Sequence, residues 1–285
     1  MSPRPPVHRV GLCVKPGSRE AATAARELAH WLAGRGVEVL LDRALDSAGH
    51  ERGALAEKAD LLVVLGGDGT LLAVARELDA REVPILGVNL GALGFLAEFA
   101  PSEERSILER VLRGDYQTVA RLRLDVRALR GTRELFRSHA LNDAVITRSD
   151  LSRMILLEAA ADGVPVTTYH GDGLIVATPT GSTAYTLSAG GPILVPGARV
   201  YVVTPICPHA LAQRPLVLPD ETRLRLTVKP RDGAAQLTVD GQIGVSLADL
   251  DSIEIAVSEH PAHFVASPFH SHFEVLRTKL GWGGG

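Results

Sequence analysis

The run Leu61-Leu62-Val63-Val64-Leu65 is apolar throughout and leads straight into Gly66-Gly67-Asp68-Gly69-Thr70. Five consecutive apolar residues have no polar face to offer water, so they fit a parallel strand covered on both sides. Parallel strands need crossover connections, which makes the surrounding chain α/β. The glycines set a tight turn at the carboxyl end of that strand, and helical spacing resumes over Thr70 to Leu78. Ligands of open α/β sheets bind at this end, and a helix N-terminus presents N–H groups to anions. Asp68 is a carboxylate among prospective phosphates, which would repel it unless it serves the chemistry. It could take a proton from an attacking hydroxyl or hold a divalent metal. On these residues alone, a plain βα turn with a capping acid stays open. Neither Gly-x4-Gly-Lys-Ser/Thr nor Gly-x-Gly-x-x-Gly is present.

The flanking sequence continues the alternation. Val10 to Val14, Val37 to Leu41 and Val83 to Val88 read as strands. Arg19 to Gly34 carries a helical stripe of Ala21, Ala24, Ala25, Leu28 and Leu32, with Gly34 and Gly36 at its end. Ser102 to Arg113 reads as a helix with Ser102 as its N-cap. Beyond about residue 118 the texture becomes short strands between turns. The candidates are Leu122 to Leu129, Ala140 to Thr147, Met154 to Ala160, Val164 to Tyr169 and Leu174 to Ala177. Val200 to Val203, Leu224 to Val228, Gln236 to Val239, Ser252 to Val257 and Ala262 to Ala266 follow. Arg231-Asp232-Gly233 is a hairpin signal, and Gly283 to Gly285 a frayed end. The expectation is an α/β domain over 1–118, with 268–285 packing back on it, and a β-rich domain over 119–267.

The 285 residues carry 30 basic and 33 acidic side chains, a formal charge of −3, so nucleic acid is not the expected partner. No stretch is apolar for the roughly 20 residues that span a bilayer. The start has no apolar signal segment, and two cysteines are too few for a disulfide framework. A cytoplasmic, membrane-free protein is the expectation.

A second glycine-rich segment lies about a hundred residues after the first. It runs from Gly171-Asp172-Gly173 through Thr178-Pro179-Thr180-Gly181-Ser182-Thr183-Ala184-Tyr185 to Gly190-Gly191. Small hydroxyls crowd around Gly181, and Tyr185 offers a stacking face. Asn142-Asp143 pairs an amide with a carboxylate, which suits adenine edges and sugar hydroxyls, although the dipeptide is also a common turn. Asn89, Gly91, Gly94 and Phe95 follow a strand at the same sheet end as Asp68 and otherwise read as a loop with a buried aromatic. His209 and Arg214 could contact a phosphate or brace a loop, and Asp240-Gly241-Gln242 reads as a hairpin turn.

Together these pieces resemble the NAD kinase family. The matching segments are Gly66 to Thr70, Asn89 to Leu96, Asn142-Asp143, Asp172 to Gly191, Pro208-His209 to Leu218, Asp240 to Gln242 and Leu276 to Trp282, in family order over most of the chain. The Gly-Gly-Asp-Gly-Thr motif alone is shared with diacylglycerol-type lipid kinases and phosphofructokinases; the Asp172–Gly191 block is more specific. Many relatives have Gly-Asp where this chain has Asp251-Ser252. The resemblance implies a Rossmann-like α/β domain with a mostly parallel sheet, then a C-terminal β domain. It implies transfer of a terminal phosphoryl group to the 2′-hydroxyl of the adenosine ribose of NAD, making NADP. Asp68 would be the base or ribose-orienting acid, with Gly66, Gly67, Gly69 and Thr70 cradling donor phosphates. Asn142 would read adenine and Asp143 a ribose. Thr183, Ala184 and Tyr185 would line the adenosine pocket, with Asp172 and Gln242 nearby. Asn89, Phe95, Thr180, Ser182 and His209 complete the candidate binding set.

Few cations stand in these motifs, so Mg²⁺ or another divalent cation, held mainly by donor phosphates, is expected alongside ATP. Family members differ in accepting inorganic polyphosphate, and His170 lies in a region implicated in that difference. Dimers and tetramers are the family's habit and the expectation here. Two other functions compete. A lipid kinase would share the phosphate loop but would need an apolar acceptor site or a basic amphipathic helix, and no such helix is evident. A non-catalytic dinucleotide sensor would not need Asp68 beside an intact glycine loop.

Overall fold

The computed structural model describes residues 5–78, 82–91, 94–148, 154–229 and 235–282. Arg231-Asp232-Gly233 and Gly283 to Gly285 lie outside them. The chain divides into two compact units, Met1–Ala120 with Ala262–Gly285, and Arg121–Pro261.

The chain begins with β1 (Arg9–Val14), α1 (Arg19–Ala33), β2 (Glu38–Leu41), α2 (Arg52–Lys58) and β3 (Leu61–Leu65). It continues through α3 (Asp68–Glu77), β4 (Ile85–Val88), α4 (Glu104–Leu112) and β5 (Thr118–Arg121). Then come β6 (Leu124–Arg130), β7 (Arg133–Ala140), β8 (Asp143–Arg148), β9 (Ile155–Ala161), β10 (Val164–Gly171) and β11 (Gly173–Ala177). After the short helix α5 (Tyr185–Ser188) come β12 (Val200–Ile206), β13 (Leu216–Pro219), β14 (Leu224–Val228), β15 (Ala235–Val239), β16 (Ile243–Leu247) and β17 (Ser252–Val257). The last elements are β18 (Ala262–Val265) and α6 (His272–Leu280).

The first unit is the expected α/β layer around one sheet, ordered β2-β1-β3-β4-β18-β5. β1 pairs in parallel with β2 and β3, and β3 with β4. Every residue of β3 is buried, as its unbroken apolar run requires. α1 lays Ala21, Ala25, Leu28 and Leu32 on the sheet, and the Ser18 hydroxyl accepts from the Ala21 N–H at its start. Val10, Leu12, Val63, Leu65, Val88 and Phe99 belong to the same core.

Several sequence readings shift here. α4 starts at Glu104, and its N-cap is Glu103 in helical conformation with no side-chain cap, so Ser102 does not cap it. The Glu103 carboxylate instead accepts from the Ala100 N–H at 2.8 Å, closing the preceding turn. The buried aromatic after β4 is Phe99, while Phe95 is half-buried. Ala262–Val265 pairs in parallel with β4 and so belongs to the first sheet, not to the β-rich series. α2, absent from the sequence reading, is held by Arg52. Its Nε donates to Asp42 at 3.0 Å and its Nη2 to the Val14 carbonyl at 3.2 Å.

The second unit is all antiparallel, in two six-stranded sheets ordered β10-β9-β14-β17-β6-β7 and β13-β12-β11-β8-β15-β16. Their facing residues share one core, with Val126, Leu157, Leu226 and Ile255 from one sheet and Ile146, Leu174, Val203 and Leu237 from the other. β8 obeys the two-residue period: Ala144 and Ile146 enter this core, and Val145 lies in a second apolar cluster on the sheet's other face. There Val145, Ile175, Ala177, Val202 and Ile206 pack together, with Ala189 and Leu194 against them. β11 is therefore buried on both faces. The departing residue Asp251 is fully buried, with both oxygens bonded to Arg130 at 2.9 Å.

Removing Arg52 would leave Asp42, 5% exposed in its side chain, without its ion partner. Breaking a buried pair from one side costs about 3–5 kcal/mol. Arg52→Ala is expected to lose that much in chemical denaturation of the first unit, followed by the fluorescence of half-buried Trp31 on α1. Exposed Arg43→Ala should lose under about 1 kcal/mol in the same experiment.

Candidate functional site

Each unit carries one group of candidate residues. In the first, β3 ends at Leu65 and α3 begins at Asp68, within the glycine turn. Gly66 donates to the Val88 carbonyl at 3.0 Å, tying the turn to the end of β4. A Cβ on Gly66 would stand 2.5 Å from Thr70 Oγ1, so packing explains that glycine. Gly67 is different. Its φ of −98° and ψ of −173° suit any residue, and a Cβ there would meet nothing within 4 Å. Neither strain nor packing requires a glycine at 67, and its absent side chain keeps the helix N-terminus open to an approaching anion.

Asp68 is bonded to the next loop. Its Oδ2 accepts from the Phe95 N–H at 2.8 Å, and its Oδ1 from the N–H groups of Leu96 at 3.1 Å and Ala97 at 3.0 Å. A carboxylate offers about four acceptor positions, so roughly one remains for a hydroxyl or proton. A Cβ on Gly94 would run into Asp68 Oδ1, which makes the glycine a condition of this contact. Asn89 is buried and its side-chain oxygen accepts from Gly91 N–H at 2.9 Å, an Asx turn that starts the same loop. Thr70 is also buried.

In the second unit, a cleft of about 330 Å³ opens on the outer face of the sheet. Asp143, Val145 and Thr147 line it from alternate positions of β8, and Thr238, Asp240 and Gly241 from β15 and its turn. Asn142, Ala184 and Tyr185 complete the wall, with Tyr185 45% exposed. Among the described residues the surface this lining exposes is mostly apolar, its polar side chains are those of Asn142, Asp143, Thr147, Tyr185, Thr238 and Asp240, and it holds no lysine or arginine. An apolar surface with a few amide, hydroxyl and carboxyl groups suits a flat base or a sugar, and it offers no cation to a phosphate.

Asp240 organises the cleft floor. Its Oδ1 accepts from the N–H groups of Asn142 at 2.8 Å and Asp143 at 3.1 Å, and its Oδ2 from Leu141 at 3.1 Å. Asp240 and Gly241 both have positive φ, 50° and 64°, as central residues of the tight turn that Gln242 N–H closes on the Val239 carbonyl at 3.0 Å. The ladder pairs Thr238 with Val145 and Val239 with Ala144. One step further, Asp240 N–H donates to the Asp143 carbonyl at 2.9 Å, so the two acids are opposed. Burial, then the charge of Asp240, pushes the Asp143 carboxyl up to about 7.

The hydroxyl-rich segment divides. Thr178 is fully buried; its Oγ1 donates to the Leu141 carbonyl at 2.5 Å and accepts from Gly181 N–H at 3.1 Å. Ser182, also fully buried, donates to the Pro179 carbonyl at 2.6 Å and accepts from Leu194 N–H at 2.9 Å. Thr180 is buried, and Thr183 donates to its carbonyl at 3.2 Å. These hydroxyls brace the loop and do not line the cleft. A Cβ on Gly181 would strike the Asn142 backbone, so this braced loop seats directly behind the Asn142–Asp143 corner.

Asp172 lies outside the cleft lining and pairs with Arg148 at 3.4 Å. His209 is exposed, its N–H bonded to the His170 carbonyl at 3.0 Å. Gln242 is exposed at the end of the β15–β16 turn. Sequence reading misses Asp240 as a site residue, since Asp-Gly is an ordinary turn signal and carries no mark of where the carboxylate points. Strand register is the only signal of the opposed acids.

The chain matches the family model described as ATP-NAD kinase N-terminal domain over residues 10–116 and the one described as ATP-NAD kinase C-terminal domain over residues 141–267. The NAD kinase of Syntrophotalea carbinolica is 47% identical over 281 residues, covering 96% of this chain and 99% of that one. The NAD kinase of Solibacter usitatus is 40% identical over 284 residues, covering 98% and 99%. Among solved structures, yeast NADH kinase complexed with NADH aligns with a TM-score of 0.88 at 28% identity, covering 99% of this chain and 90% of that one. An NAD kinase from Archaeoglobus fulgidus in complex with ATP aligns at 0.77 and 28% identity, covering 97% and 100%.

Two outcomes follow from these geometries. Gly94→Ala should break the Asp68 contacts and speed amide exchange at Phe95, Leu96 and Ala97 by about tenfold or more, with β1 and β3 amides unchanged in the same mass-spectrometric experiment. Asp143 keeps its proton in the folded state where the unfolded chain has released it, so its contribution to stability falls as pH rises from the ordinary carboxylate range to about 7. Asp143→Asn removes that dependence and should raise the melting temperature at pH 8 relative to wild type, by about 2–4 °C per kcal/mol relieved, with a much smaller gain at pH 4.

Proposed function

The chain belongs to the NAD kinase family, and from that premise we propose that it transfers the terminal phosphoryl group of ATP to the 2′-hydroxyl of the adenosine ribose of NAD, giving NADP. The observation that carries the assignment of parts is the division of labour between the two residue groups. The glycine turn at Asp68 offers an open helix N-terminus and one carboxylate, which suits donor phosphates and a reacting hydroxyl. The mostly apolar cleft offers an amide at Asn142, a carboxyl at Asp143 and an aromatic face at Tyr185, which suit adenine and ribose.

In the proposed reaction the 2′-oxygen forms a bond to the γ-phosphorus, and the bond from that phosphorus to the ADP oxygen breaks, with the electron pair leaving on ADP. The hydroxyl proton passes to the remaining acceptor position of Asp68. Asn142 hydrogen-bonds the adenine edge, Asp143 a ribose hydroxyl, and Tyr185 stacks on the base. Gly66, Gly67, Gly69 and Thr70 hold the donor. Among the described residues no three His, Cys, Asp or Glu side chains converge as a metal cage. A divalent cation such as Mg²⁺ enters as part of the ATP substrate, neutralising phosphate charge.

The setting fits the same reading. Both cysteines are free, which suits a reducing, cytoplasmic compartment. Among the described residues no helix is long and apolar enough to cross a membrane. Light scattering on the purified chain tests a homodimer or homotetramer.

The decisive assay supplies ATP labelled in its γ-phosphate with Mg²⁺ and, in separate tubes, NAD, 2′-deoxy-NAD and diacylglycerol. Label is expected in NADP alone. Label in the deoxy analogue refutes 2′-transfer, and label only in lipid makes the chain a lipid kinase. NAD binding with no labelled product makes it a dinucleotide sensor. Asp68→Asn should lower kcat by about 10²–10⁴.

A further inference from the structure

The cleft contains two carboxyls on opposed strands, and they do different things. The Asp240 oxygens are bonded to three consecutive main-chain N–H groups, those of Leu141, Asn142 and Asp143. Asp143 is 5% exposed and has only its own N–H, not its carboxyl, in that set. Like charges at opposed positions of an antiparallel pair repel. An aspartate at position 240 is not demanded by the hairpin, since asparagine and glycine take its φ of 50° more readily.

We propose that Asp240 is a positioning residue for NAD, fixing the backbone of the Asn142–Asp143 corner and setting the charge Asp143 carries, so that recognition of NAD by this cleft depends on pH. The proposal rests on the function assigned above. The groups facing Asp143 are few. The β15–β16 turn contributes Asp240; Tyr185 contributes a phenol from α5; Asn142, Thr147 and Thr238 are uncharged; and β11 opposes it with Ala177. Among the described residues Asp240 is thus the one charged neighbour in the lining; burial first, and this charge second, push the Asp143 carboxyl up to about 7. An ionised Asp143 accepts a short, charge-assisted bond from a ribose hydroxyl, and a protonated one does not. Wild-type affinity for NAD should therefore fall about tenfold from pH 8 to pH 6.

The test is calorimetric titration of NAD without ATP, from pH 5.5 to 8.5, on wild type, Asp240→Asn and Asp143→Asn. In Asp240→Asn the loss of the neighbouring charge should move the inflection to lower pH, while burial of Asp143 keeps it above the ordinary carboxylate range. The amide NH₂ now facing a main-chain N–H should weaken binding about tenfold at pH 8. In Asp143→Asn the inflection should vanish. A role for Asp240 in folding alone would weaken binding without moving the inflection, and that result overturns the proposal. If Asp240→Asn does not fold, Asp240→Glu decides: it keeps the charge but displaces the carboxylate from the three N–H groups, so binding should weaken with the inflection retained, and unchanged binding refutes the positioning role. A wild type that binds NAD with this profile yet makes no NADP defeats the assigned reaction and leaves the pH coupling standing. A wild type that makes NADP with a flat binding profile defeats the coupling alone.

Discussion

A main-chain N–H that turns away from a helix or ladder must find another acceptor, and leaving it buried and unpaired costs about 1–3 kcal/mol. In each unit of this chain one aspartate gathers three such groups. Asp68 takes those of Phe95, Leu96 and Ala97, and Asp240 those of Leu141, Asn142 and Asp143. Both acids sit at turns, and both fix a segment distant in sequence. The candidate residues in those segments are placed by these bonds more than by local propensity. An acid suited to chemistry is thus first a piece of architecture, and its chemistry uses the acceptor capacity that remains.

The cleft in the second unit depends equally on the two-residue period of β8. Ala144 and Ile146 enter the core between the sheets, which sends Asp143, Val145 and Thr147 to the opposite face. A slip of one residue would bury the acid in the core and expose the isoleucine. The apolar demand of the core therefore fixes which side chains the cleft receives. The buried threonines and serine of the 178–183 loop brace that face, with Gly181 close against the Asn142 backbone.

Elements whose burial is written in consecutive residues are readable from sequence, and α1, β3, β14 and β17 match closely. Short or exposed elements are not. β7 and β16 lie at sheet edges with mostly unburied residues, so they carry little alternation. α2 is seven residues long and owes its place to Arg52, whose partners Asp42 and Val14 are remote in sequence. At the candidate site, composition points to Asp68, Asn142, Asp143 and Tyr185 because amides, acids and aromatics are chemically conspicuous. The roles of Ser182 and Thr178 as braces, and of Asp240 as an anchor, depend on directions in space that residue types do not encode.

β18 returns the chain to the first sheet after the whole of the second unit, and it lies between β4 and β5. A ribosome making this protein releases β4 and β5 long before the strand that separates them. Until residue 265 emerges, the nascent sheet has two unfilled edges facing one another across a missing strand. Direct pairing of β4 with β5 in that interval would exclude β18 and trap the chain. The inserted unit must therefore bring its two ends together before β18 can be placed, and a variant that folds this unit slowly would show itself as aggregation of the first.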